Sequence, residues 1–93
     1  MLEMLVRNRV EDYSRWRKVF DEQDAAGREA GLVLTDLWRD IENPNNIFFT
    51  FRIGDLEKAR AFVADPEQAE VGKRAGVIDG EIHYVEREDI SKG

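Results

Sequence analysis

Cysteine is absent from this chain, and histidine occurs once, at His83. Disulfides and thiolate metal sites are therefore excluded, and a histidine-rich metal site is impossible within one chain, so no metal is expected. A basic excess is missing too: 14 Lys and Arg stand against 20 Asp and Glu, a formal net charge of -6. That balance opposes polyanionic partners, so neither nucleic acid nor an anionic membrane is expected. Long apolar runs are also lacking. The opening "MLEMLVRNRV" carries an acid and two arginines within its first nine residues, which suits neither a signal peptide nor a membrane span. A cytoplasmic protein is expected. No stretch has the spacing of a phosphate loop or a nucleophile elbow.

What is present is periodicity. With 93 residues the chain suits one domain, 1–93, whose modest core would gain from oligomer formation. Residues 2 to 10 alternate, with Leu2, Met4, Val6, Asn8 and Val10 on one face and Glu3, Leu5, Arg7 and Arg9 on the other. Asp12 is a good N-cap, and Tyr13, Trp16, Val19 and Phe20 follow at helical spacing, predicting a helix to about Ala30 that Gly31 ends. "LVLTDLWRD" from Leu32 to Asp40 reads as a second strand, "ENPNN" as a turn, and "IFFTFRI" at 47–53 as a third strand. Asp55 caps a second helix carrying Leu56, Ala59, Phe62 and Val63 inward. "DPE" at 65–67 breaks that helix and starts a short one with Pro66 in its first position, which Gly76 closes. A last strand, "EIHYVERE", is predicted from Glu81, with Ile82 and Tyr84 alternating with His83 and Val85.

The order βαββαβ is supported by a weak internal repeat, in which "VEDYSRWRKVF" at 10–20 matches "IGDLEKARAFV" at 53–63. Two such units predict an α+β, ferredoxin-like fold: a four-stranded antiparallel sheet with helices on one face. The helix-covered face would carry Met4, Val6, Asn8, Val10, Phe49, Phe51 and Ile53. The other face mixes Leu5, Phe48 and Val85 with Arg7, Arg9, Thr50, Arg52 and His83, too apolar for bare solvent and too charged for a closed core. A homodimer joined sheet to sheet fits that mixture, with the arginines paired to acids such as Glu3, Glu81 or Asp36.

The segments "LVRNRVEDYSRWRKVFDE", "DLEKARAFVADPE" and "RAGVIDGEIHYVE" resemble small bacterial proteins of the dimeric α+β barrel superfamily, which includes the antibiotic biosynthesis monooxygenase-like proteins. The resemblance spans nearly the whole chain. It implies a pocket between sheet and helices, lined here by Val6, Asn8, Trp16, Phe20, Phe49, Phe51, Leu56, Phe62 and Val63. Heme-degrading members share a strand-one asparagine like Asn8 but add a tryptophan, where Phe62 stands here, and a histidine on the following segment. The segment "EQAEVGKRAG" has no histidine. The polyketide cyclases of this architecture place a histidine where Gln68 follows Pro66. No catalytic residue is assigned by these matches, and no cofactor is implied.

The candidate ligand contacts are therefore Asn8, Trp16, Phe20, Phe49, Phe51, Phe62, Gln68 and Tyr84. Asn8 and Gln68 offer hydrogen bonds, Tyr84 a phenol, and the rest apolar walls. Tyr13 offers a second phenol, whereas Glu57, Asp65, Glu67 and Glu70 suit a solvated surface. Two readings stay open. One is a protein that binds a small apolar or aromatic ligand, as a cofactor-independent monooxygenase or cyclase of a polyketide-like compound. The other is a non-catalytic homodimeric module whose core those side chains fill.

Overall fold

The structure, a computed structural model, describes residues 1–91; positions 92–93 of the expected domain lie outside them. Strand β1 (Leu2–Val10) leads into helices α1 (Tyr13–Glu22) and α2 (Asp24–Glu29). Strands β2 (Leu32–Arg39) and β3 (Asn46–Ile53) form a hairpin, followed by α3 (Leu56–Ala64), α4 (Pro66–Arg74) and β4 (Val77–Glu86). The sheet is antiparallel in the order β2-β3-β1-β4. This is the ferredoxin-like arrangement that the alternating segments predict.

The helix starts follow from capping. Asp12, Asp55 and Asp65 each accept a bond from a first-turn amide, those of Arg15, Lys58 and Glu67. Each satisfies a donor that the first helical turn leaves unpaired. Gly31 and Gly76 turn the chain out of α2 and α4 at φ of 81° and 76°, the left-handed region that favours glycine.

Two boundaries differ from the sequence expectation by more than two residues. The first helix does not run unbroken to Ala30. At Gln23 the N–H reaches back to Phe20 O at 3.1 Å, an i→i−3 bond that tightens the turn and redirects the axis into α2. The last strand begins at Val77 rather than Glu81. "DG" at 79–80 reads as turn chemistry, yet both residues pair with β1, Asp79 opposite Arg9 and Gly80 opposite Asn8. Asp79 is held there by the Arg9 guanidinium at 2.5 Å.

Packing follows the alternation. Met4, Val6, Val10, Trp16, Ile47, Phe49 and Ile53 are buried between sheet and helices, with Trp16 2% and Ile47 0% exposed. A bulge in β2 between Leu34 and Asp36 puts Leu34 opposite Phe51 and Leu37 opposite Phe49, while Asp36 stands opposite Thr50. One extra residue thus keeps both leucines inward and sends the carboxylate outward.

The outer sheet face is organised by charge, and Arg7, Arg9 and Arg87 find partners within the chain. Arg7 bonds Glu81 at 2.8 Å and Asp79 at 3.3 Å, and also reaches Asn46 Oδ1 at 2.9 Å. Arg87 forks onto Glu3, with Nη2 to Oε1 at 2.7 Å, and Glu3 is buried at 4% exposure. Asp36 accepts from the Thr50 hydroxyl at 2.7 Å. The guanidinium bonds hold the Asp79, Glu81 and Glu3 carboxyls below their ordinary range. Among them Leu5, Trp38 and Val85 remain exposed.

Candidate ligand cavity between sheet and helices

The space between the sheet and its helices is not filled. A cavity of about 740 Å3 lies there, within the range of small-molecule sites, roughly 300–1,000 Å3. β1 sets Met4, Val6 and Asn8 into its floor, and β3 adds Phe49 opposite Val6 and Phe51 opposite Met4. The helical spacing of Trp16 and Phe20 brings both onto one side of α1. Their rings stack with centroids 4.4 Å apart. Phe20 meets Phe49 edge-on at 5.0 Å, and Phe49 meets Phe51 edge-on at 5.6 Å. Mutual edge-to-face contacts keep the aromatic wall in place beside open space.

Polarity in the floor is concentrated at Asn8. With the amide oriented to suit its neighbours, Oδ1 accepts from Trp16 Nε1 at 3.2 Å and Nδ2 donates to Arg7 O at 3.1 Å. The indole and the amide thus satisfy one another across the sheet-to-helix space. One Nδ2 hydrogen is used by Arg7 O, and the second makes no hydrogen bond among the described residues. Accepting the indole hydrogen at Oδ1 polarises the amide and strengthens that second donor.

The ionisable side chains lining the cavity are carboxylates at its polar edge, Asp21, Asp24 and Asp65. The first two are ion-paired, Asp21 to Arg17 and Asp24 to Arg28, each at 2.9 Å. Asp65 caps α4. Gln68 also lies along this edge. The breaks at Gln23 and at Asp65–Pro66 therefore place polar side chains around an otherwise apolar hollow.

Val6, Asn8, Trp16, Phe20, Phe49, Phe51, Phe62, Val63 and Gln68 all line this cavity. Leu56 packs against the buried core, outside the lining. Tyr84 stands outside it as well, opposite Met4 with the Arg60 guanidinium 5.2 Å from its ring centre. Tyr13 is engaged elsewhere: Arg39 lies 3.7 Å over its ring and Arg17 Nη1 donates to its hydroxyl at 3.1 Å. His83 pairs with Leu5 on the outer face and contacts Glu81 at 3.0 Å. Sequence reasoning missed Leu34, Val77 and Ile82 as lining residues. Ile82 shares the alternation of Tyr84, and its position opposite Val6 decides which of the two meets the cavity. Among the described residues, no cluster of His, Cys, Asp and Glu could hold a metal ion. Nor is any helix among them long and apolar enough to cross a membrane.

Solved structures share this architecture over essentially the whole chain. SnoaB, a cofactor-independent oxygenase from Streptomyces nogalater crystallised as a variant, superposes with a TM-score of 0.72 at 20% identity, covering 98% of this chain and 97% of that one. An antibiotic biosynthesis monooxygenase gives 0.65 at 18% identity, covering 96% and 100%. An uncharacterized NIPSNAP domain protein from Burkholderia xenovorans gives 0.69 at 14% identity, covering 100% of both chains. These likenesses establish the fold class, a ferredoxin-like α+β fold. No family model matches the sequence, and no curated protein does.

Proposed function

We propose that this chain binds an aromatic, polyketide-like compound between its sheet and helices and acts on it as a cofactor-independent oxygenase. The observation that carries the reading is the cavity: about 740 Å3 of aromatic-walled space with the Asn8 amide in its floor. A module with a filled core would close that space. The shared fold of SnoaB, itself a cofactor-independent oxygenase, supports the same chemistry.

In that chemistry the substrate supplies the electrons. For an anthrone, the ring CH2 loses a proton to give an enolate, which reduces dioxygen. One oxygen atom ends as the new ring carbonyl and the other leaves as water, the two hydrogens of the CH2 accounting for that water. The Asn8 Nδ2 hydrogen would hold the enolate oxygen, and a preorganised donor of this kind contributes a few kcal/mol to a dry site. Because Asp21 and Asp24 are already ion-paired and Asp65 is engaged as the cap of α4, proton removal falls to solvent and to the substrate's own acidity.

The outer sheet face supports a homodimer. Leu5, Trp38 and Val85 are exposed there between ion pairs that are already internally satisfied. Pairing two such faces buries apolar surface, with the charges of Arg7, Arg9, Asp79 and Glu81 already matched within each chain. A monomer by light scattering at micromolar concentration would sink the dimer.

Dithranol, a dihydroxyanthrone, is the test ligand. The expected outcome is a raised melting temperature and oxygen uptake that falls by about 10²-fold in Asn8→Ala, the usual effect of removing one such donor. The absence of both stabilisation and uptake with the wild-type protein would overturn the reading. Stabilisation without uptake would favour a second reading, carriage of the ligand without turnover, which the Asn8 amide in the cavity floor, neither acid nor base, also favours.

A further inference from the structure

Gly80 lies within β4, where glycine weakens a strand unless something approaches too closely for a side chain. Here something does. A Cβ at position 80 would stand 2.5 Å from Arg7 O and 2.8 Å from the terminal amide atom of Asn8 that, in the orientation given above, is Nδ2. Both distances are well inside van der Waals contact, and the first neighbour is backbone that cannot rotate away. The same two atoms are the donor and the acceptor of the 3.1 Å bond that fixes the Asn8 amide.

We propose that Gly80 is the positioning residue of the cavity's polar point: its missing side chain lets the Asn8 amide lie back along β1. In that position Nδ2 reaches Arg7 O while Oδ1 faces the Trp16 indole. Any side chain at 80 drives the amide off Arg7 O and toward the cavity, so the Trp16 hydrogen loses its acceptor and the donor offered to a ligand is displaced. The consequence for ligand selection rests on the proposed function; the positioning itself does not. Gly80 touches Asn8 and acts through it.

The test is by nuclear magnetic resonance on the full 15N-labelled chain, with Trp38→Phe used to assign the Trp16 indole signal. In the wild-type protein a cross-peak is expected between the Asn8 side-chain amide hydrogens and the Gly80 α-hydrogens. In Gly80→Ala, with the backbone spectrum still dispersed, the Asn8 amide pair shifts and the Trp16 indole hydrogen exchanges about tenfold faster, as its acceptor is lost. Backbone exchange that speeds equally along the whole of β4 would mark a general loosening of the strand and would overturn the positioning role.

The proposal is overturned by a missing wild-type cross-peak, or by Gly80→Ala that leaves the Asn8 pair and the indole exchange unchanged. Should Gly80→Ala fail to fold, the wild-type cross-peak decides alone. Dithranol separates the two readings: binding about tenfold weaker in Gly80→Ala is expected. If the wild-type protein does not bind dithranol, the ligand reading fails while cross-peak and exchange still judge Gly80.

Discussion

The two faces of one sheet solve opposite problems. On the outside, polar groups are numerous and satisfy one another: Arg7 and Arg9 close on Asp79 and Glu81, and Glu3 closes on Arg87. On the inside, polar groups in the floor are scarce, and aromatic rings surround a hollow rather than filling it. β1 belongs to both, because Asn8 points inward between two arginines that point outward. The outside thus exposes Leu5, Trp38 and Val85 between matched charges, and the inside sets a single amide among apolar walls.

The largest effect should come from the inside. Trp16→Ala removes a buried indole that stacks on Phe20 and donates to Asn8, and should cost about 3–5 kcal/mol in chemical denaturation. Phe48→Ala, on the outer face, should cost less than half as much in the monomer. Equal losses would break the contrast between the faces.

This contrast was partly legible in the residues. Period-two alternation in β1 and β3 assigns the faces correctly, because one buried face forces the pattern. The aspartate caps and the two closing glycines announce the helix ends. Periodicity alone did not show the hollow, which only the family resemblance implied, since Trp16 and Phe20 at helical spacing read as a packed core as well as a wall. Nor was β4 legible before Glu81, because Asp79-Gly80 has the composition of a turn until Arg9 and Asn8 are placed beside it. The burial of Glu3 depends on Arg87, far away in sequence, and no local pattern signals it.

Acid should act on the outer face. Asp79, Glu81 and Glu3 have folded-state carboxyl values depressed by their arginine bonds. Their contribution is therefore full above the ordinary carboxylate range and is lost as pH falls through the depressed values. The urea midpoint should hold steady at neutral pH and decline below the ordinary glutamate value of 4.5. Arg7→Met with Arg9→Met should flatten that decline, and an unchanged acid profile would show that these pairs do not set it.

A smaller effect sharpens the account of the helix layer. Arg15 on α1 donates to Arg74 O at 2.9 Å and to Lys73 O at 3.0 Å, tying α1 to the end of α4 above the cavity. Arg15→Ala should cost about 1 kcal/mol and speed amide exchange at the end of α4. Exchange that changes equally in β2 would mean that the tie is not local.

The bond from Arg87 N–H to Met1 O, 3.0 Å long, joins the start of β1 to the end of β4. Two neighbouring strands thus meet end to end, on the opposite side of the sheet's connectivity from the β2–β3 turn. A short linker across Met1 and Arg87, with new ends cut in the exposed turn at 41–44, would give a circular permutant that keeps every strand pairing. The order in which the chain visits this sheet is then separable from the architecture it builds.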